Sequence, residues 1–291
     1  MNAIRCLLVL LLPTFHTTAL SPAPQNATPT NSQPSAPSGK TPAQSAAREA
    51  LNVGIEQFRN GQYEKAIDAF KDAKRFDPEL LNARLYLATA YASEYIPGDP
   101  SDQNKGKGQL AVAEFGDVLA LDPANLSAMD ALGSLEFQIA GSPFNRELFL
   151  ESKSYFQKHI SLKPSDPEPH YWTGVIDWTL AFRSNAELRK TLKESEADPL
   201  PPSLHAKYSI ECGETIEEGI NSLKKALSLR PDYDDAMAYL NLLYRRKADV
   251  VDNQRDRDAL LDMADDLVEK VKEIKTKTAA QQAQPQAEPR K

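Results

Sequence analysis

LNVGIEQFRNGQYEKAIDAFKDAKRFDP, Leu51 to Pro78, is the stretch whose reading decides the fold. It holds two helix-length segments on either side of the turn Asn60-Gly61-Gln62. In the second segment Ala66, Phe70 and Ala73 fall at intervals of four and three, which places them on one helical face. Gly54 precedes Ala66 by twelve residues, and Pro78 follows Ala73 by five. A glycine inside a helix costs about 1 kcal/mol relative to alanine, so Gly54 needs a packing reason. A proline cannot donate the next backbone bond, so Pro78 closes the helix.

The same intervals recur along the chain. Ala111, Phe115, Val118 and Pro123 repeat them, as do Ser152, Phe156, His159 and Pro164, and then Gly219, Leu223, Ala226 and Pro231. From each proline to a compact residue in the next helix is ten residues: Pro78 to Ala88, Pro123 to Gly133, Pro164 to Gly174, Pro231 to Asn241. The small residues let two helices approach, and the large ones fill the gap to the next unit. One helical pair cannot bury its apolar face alone, so the pairs must stack.

This trace of small residue, Ala…Phe…Ala and Pro resembles the tetratricopeptide repeat (TPR), a helix–turn–helix unit of about 34 residues. The resemblance implies an all-α fold, a right-handed α-solenoid of about five TPR-like units with insertions. The units are expected at about 47–79, 80–124, 125–165, 166–232 and 233–276. The family's bulky first-helix aromatic is missing from most of them, and His159 stands where the family prefers a small residue. Units two to four carry 11, 7 and 33 extra residues relative to unit one, around 94–107, 140–147 and 180–213. All three insertions fall at the turn between the paired helices. The longest contains NAELRKTLKESEA, Asn185 to Ala197, read as an added helix before the proline-rich break at 198–202. Leu260, Ala264, Leu267, Val271 and Ile274 form an apolar stripe, read as a helix that caps the stack. Weak self-association through this C-terminal helix is the alternative.

The two ends read differently. Arg5 followed by the apolar run Cys6 to Leu12 and the small residues Thr17-Thr18-Ala19 reads as a signal peptide over residues 1–19. The expected mature protein is therefore exported, periplasmic or extracellular. Its removal takes one Arg and no acid, moving the formal charge from −7 to −8. Residues 20–41, rich in Pro, Ser and Ala, read as a disordered linker, and residues 277–291 as a disordered tail. Helical structure is expected from Thr41-Pro42, a good cap and a proline at the first helical position. No apolar run nears the roughly 20 residues needed to span a bilayer. The acidic balance argues against nucleic acid, which needs a basic surface.

No pattern of catalytic or metal-ligating residues emerges, and no cofactor is implied. HExxH, GxSxG and CxxC are all missing. Asp102 to Gly106 lacks the glycine and the glutamate of a calcium loop, and reads as a polar surface loop. His159, His170 and His205 have no companions at ligand spacing. Cys212 reads as a small, partly buried side chain rather than a nucleophile. The expected work is therefore non-enzymatic: holding a protein or peptide partner on the face that the first helices share. Helical arithmetic puts Tyr86, Tyr171, Trp172, Val175, Tyr239 and Leu242 there, with Arg245 and Arg246 beyond them. Aromatic anchors suit an extended peptide or an apolar helix. The alternative for these rings is packing beneath the inserted segment 180–213. Two other classes of function stand beside this one: an envelope assembly factor, and a hydrolase built from the insertions.

Overall fold

The computed structural model describes residues 41–190 and 200–282. The expected signal peptide and linker up to residue 40, residues 191–199 of the long insertion, and residues 283–291 of the expected tail lie outside the described residues. Among the described residues ten helices follow one another: α1 Pro42–Arg59, α2 Tyr63–Phe76, α3 Leu81–Glu94, α4 Asp102–Leu121, α5 Leu126–Ala140, α6 Arg146–Leu162, α7 Pro167–Lys190, α8 Pro202–Leu229, α9 Asp234–Ala248 and α10 Gln254–Gln282. Each odd-numbered helix packs most extensively on the even-numbered helix that follows it. Each even-numbered helix then packs on the next first helix, and α3 touches both α1 and α5 while α7 touches α9. The result is a right-handed α-solenoid of five pairs.

The recurring prolines act on the residue before them. Asp77, Asp122, Lys163 and Arg230 each precede one, and each has φ between −141° and −135°. The proline ring disfavours the α region for its predecessor, so α2, α4, α6 and α8 stop there. At the other ends, Ser101, Asn125 and Asn145 accept bonds from the backbone N–H groups of Asn104, Ala128 and Leu148. Those side chains satisfy donors that a helix start leaves open.

The glycines find the packing reason that their cost demands. A Cβ on Gly54 would overlap the Phe70 ring, one on Gly174 would overlap Leu223, and one on Gly133 would lie 2.7 Å from Phe156 Cε2. The large residue of the second helix thus sits on the small residue of its own unit. The ring also reaches onward, since Phe70 stacks on Tyr86 and Phe156 on Trp172 of the following units. Gly174→Leu should therefore lower stability by roughly 1–3 kcal/mol through overpacking. Gly116, with nothing within 4 Å of its missing Cβ, is the control, and thermal melts of both variants check the difference. Gly98 would be a poor control despite its loop position, because its φ of 83° is strained for any other residue.

The insertions depart from the sequence reading. No separate helix is added at Asn185: α7 simply runs on to Lys190, and α8 begins at Pro202. The described part of the insertion thus lengthens both helices of unit four, residues 180–190 within α7 and 202–213 within α8. Near the end of α7 Arg189 Nε donates to Asn185 Oδ1 (2.7 Å) within the helix, and Asn185 Nδ2 donating to Asp249 Oδ2 (3.3 Å) ties that helix to the end of α9. Tyr208, fully buried, donates to the Ala181 carbonyl. Asp102 to Gly106 is likewise the first turn of α4 rather than a loop. Asn104, 4% exposed, closes the preceding segment by accepting from Ile96 N and donating to the Ile96 and Asp99 carbonyls. α10 continues to Gln282, past residue 277 where the tail was expected to start.

The stripe on α10 packs against α9. Ala264 and Leu267 are buried, and Leu260, Val271 and Ile274 pack on the same apolar cluster. Those five side chains serve the core of their own chain, which is the capping role. No helix among the described residues is long and apolar enough to cross a membrane.

Candidate partner-binding face

The eight residues expected on the first-helix face divide by burial. Val175 is 1% exposed and belongs to the core between units four and five, so it is corrected to a core residue. It lies one helical turn after Tyr171, and α8 and α9 close over both. Tyr171 and Tyr239 are 8% exposed each. Their rings meet edge-on at 5.8 Å, and Tyr239 also meets Trp178 at 5.3 Å. Burial pushes the Tyr239 hydroxyl up to about 12 and Tyr171 higher still, so neither ring ionises near neutrality.

Trp172 is only half-buried, yet it is stacked flat on Phe156 at 5.6 Å and edge-on to Phe137 at 5.4 Å. These partners belong to unit three. The Trp172 ring therefore packs between neighbouring units, while Tyr171 and Tyr239 share a core cluster with Leu188, Leu200, Tyr208 and Cys212 of the inserted segment. Tyr86 and Leu242 are half-buried on α3 and α9. With the open edge of Trp172 they form the accessible remainder of the expected face.

Arg245 and Arg246 are not spare cations. Arg245 Nη2 pairs with Asp265 Oδ1 at 2.5 Å and its Nε donates to Asn241 Oδ1. Arg246 Nη1 lies 3.3 Å from Asp249 Oδ2. Arg245 thus ties α9 to α10, and Arg246 pairs with the residue that ends α9.

The sequence reading missed two buried carboxyls. Asp177 is fully buried, with Lys153 Nζ 2.6 Å from its Oδ1 and Glu218 Oε2 2.8 Å from the same ammonium. Burial pushes the Asp177 carboxyl up to about 7 even against that cation. Gly219 makes room for it, since a Cβ there would lie 2.8 Å from Asp177 Cβ. Glu136 is 3% exposed, and burial, aided by Glu151, pushes its carboxyl up to about 8. One signal was available: Glu136 and Asp177 each stand three residues after a unit glycine, on the packed face.

Each remaining histidine has a polar neighbour. His159 Nδ1 lies 2.6 Å from Asp130 Oδ1, and His170 Nε2 lies 3.1 Å from the Pro164 carbonyl. His205 Nδ1 is 3.2 Å from Asp252. Among the described residues no three His, Cys, Asp or Glu side chains gather as a metal site. Cys212 is buried in the core, and burial pushes its thiol up.

Comparison with family models finds no match, and comparison with curated proteins finds none. Solved structures do match. A MamA protein aligns with a TM-score of 0.52 at 17% identity, covering 84% of this chain and 98% of that one. MamA from Desulfovibrio magneticus RS-1 gives 0.53 at 18% identity, over 80% and 96%. YrrB, titled a TPR protein with an unusual peptide-binding site, gives 0.49 at 15% identity, over 76% and 86%. At such identities the likeness to the two MamA structures concerns the fold alone. The helical pairs, their small-residue contacts and the likeness to the MamA structures agree: the chain has the tetratricopeptide-repeat fold.

Proposed function

We propose that this chain is an exported, non-enzymatic scaffold that holds a peptide or helix of another protein against its first helices. The observation that carries the reading is the set of half-buried side chains Tyr86, Trp172 and Leu242 on α3, α7 and α9. Large side chains that keep part of their surface open on a rigid stack need little reordering to bind, which favours association. Export rests on the sequence of residues 1–19 alone.

The test is affinity capture from the native host with wild type and Leu242→Glu, each melted in parallel. A carboxylate at a half-buried apolar position should remove a partner held there, a loss of about 2 kcal/mol or more. The melting temperature should fall much less than in the overpacked Gly174→Leu. Equal capture by both proteins would refute the first-helix face. Intact mass of the same host material reads the export, and a species that keeps Met1 to Ala19 would refute it.

A further inference from the structure

A cleft of about 350 Å³ opens between the second helices α4 and α6, with α5 beneath it. Val112, Ala113, Ile139 and Leu148 give it apolar walls, and Glu136 and Glu151 give it two carboxyls. Glu136 is 3% exposed, and its Oε2 has no hydrogen-bond partner among the described residues. Leaving a buried carboxyl oxygen unbonded is unfavourable, because nothing replaces the water that it gave up.

The charged and titratable groups around Glu136 come from α6. Glu151 raises its proton affinity and Lys158 lowers it, while Tyr155 feels both carboxyls. Lys158 Nζ sits over the Tyr155 ring, 4.9 Å from its centroid. From α4 the lining receives only the uncharged Gln109, Val112 and Ala113.

We propose that this cleft takes a lysine or arginine side chain of a partner polypeptide, its alkyl stem against Val112, Ile139 and Leu148 and its cation on Glu136. The chemistry selects the occupant. A purely apolar side chain would leave Glu136 Oε2 without a partner, and an anion would meet two carboxyls. A cation on an aliphatic stem satisfies both the walls and the acid, as long basic side chains do when they bury their methylenes. None of Tyr86, Trp172 and Leu242 lines this cleft, so its failure would leave the proposed first-helix face untouched.

The full chain can be titrated with n-butylammonium chloride, which has the stem and the cation, and with n-butanol, which has the stem alone. Side-chain NMR reads the Glu136 carboxyl and the methyl groups of Val112, Ile139 and Leu148. Saturating n-butylammonium should shift those methyls and lower the Glu136 midpoint by at least one pH unit, a tenfold fall in proton affinity. n-Butanol should leave the midpoint in place. Glu136→Gln should abolish the methyl response to n-butylammonium. Unmoved methyls and midpoint in wild type, or the same methyl shifts in Glu136→Gln, would overturn the proposal.

Discussion

Replacing Phe156 with alanine should lower the stability of the chain by about 3–5 kcal/mol, the range for emptying a buried aromatic site. Phe156 is 1% exposed, rests on Gly133 of its own unit, and stacks on Trp172 of the next. The cavity would open where units three and four meet, at a small cluster formed by Ala140, Phe149, Phe156, Ile176 and Leu180. Few other side chains there can move in to fill it. Denaturant unfolding measures the loss, and a fall under about 1 kcal/mol would show that the interface relaxes around the missing ring. Trp172→Ala should follow at about 3 kcal/mol, because it removes the other half of the same stack. Lost capture by that variant would thus report on packing as much as on binding, which is why Leu242 is the better probe.

Glu136 should make the chain less stable as pH rises. Its folded carboxyl sits at about 8, against an ordinary value of about 4.3 when unfolded. Between those values the folded state keeps a proton that the unfolded state has released. Stability from this group is therefore fullest below about pH 4, falls through the range up to about 8, and is flat beyond. Asp177, raised to about 7, adds the same sign over a shorter range. Glu136→Gln keeps the shape and removes the titration. At pH 8 the variant should be more stable than wild type by about 4–5 kcal/mol, and the gap should close towards pH 4.5. Parallel stability curves for the two proteins would show that Glu136 ionises freely in the folded chain.

The repeat was legible because its causes are local. Intervals of four and three put Ala66, Phe70 and Ala73 on one face whatever surrounds them, and a proline restrains the residue before it wherever it stands. A glycine in mid-helix already implies a close neighbour, and Phe70, Phe156 and Leu223 are those neighbours. The capping stripe on α10 follows from the same periodicity.

The accessible face was not local in that sense. Tyr86, Val175 and Leu242 read alike as large first-helix residues, yet Val175 is enclosed and the other two are half-open. What separates them is how far the next pair slides over each helix, which depends on contacts between units. The long insertion misled for a related reason. A helical sequence before a proline-rich break suits a new helix or the continuation of an old one, and only the docking of Asn185 and Arg189 near Asp249 selects continuation. Glu136 and Asp177 complete the contrast. A lone acid in a helix reads as a solvated position, because sequence shows charge but not the helices that close over it. Helix periodicity and proline sterics act within one turn of chain, so the sequence by itself determined the repeat and its register. Burial is a property of several chain segments at once, so only the tertiary structure decided which of these side chains face water.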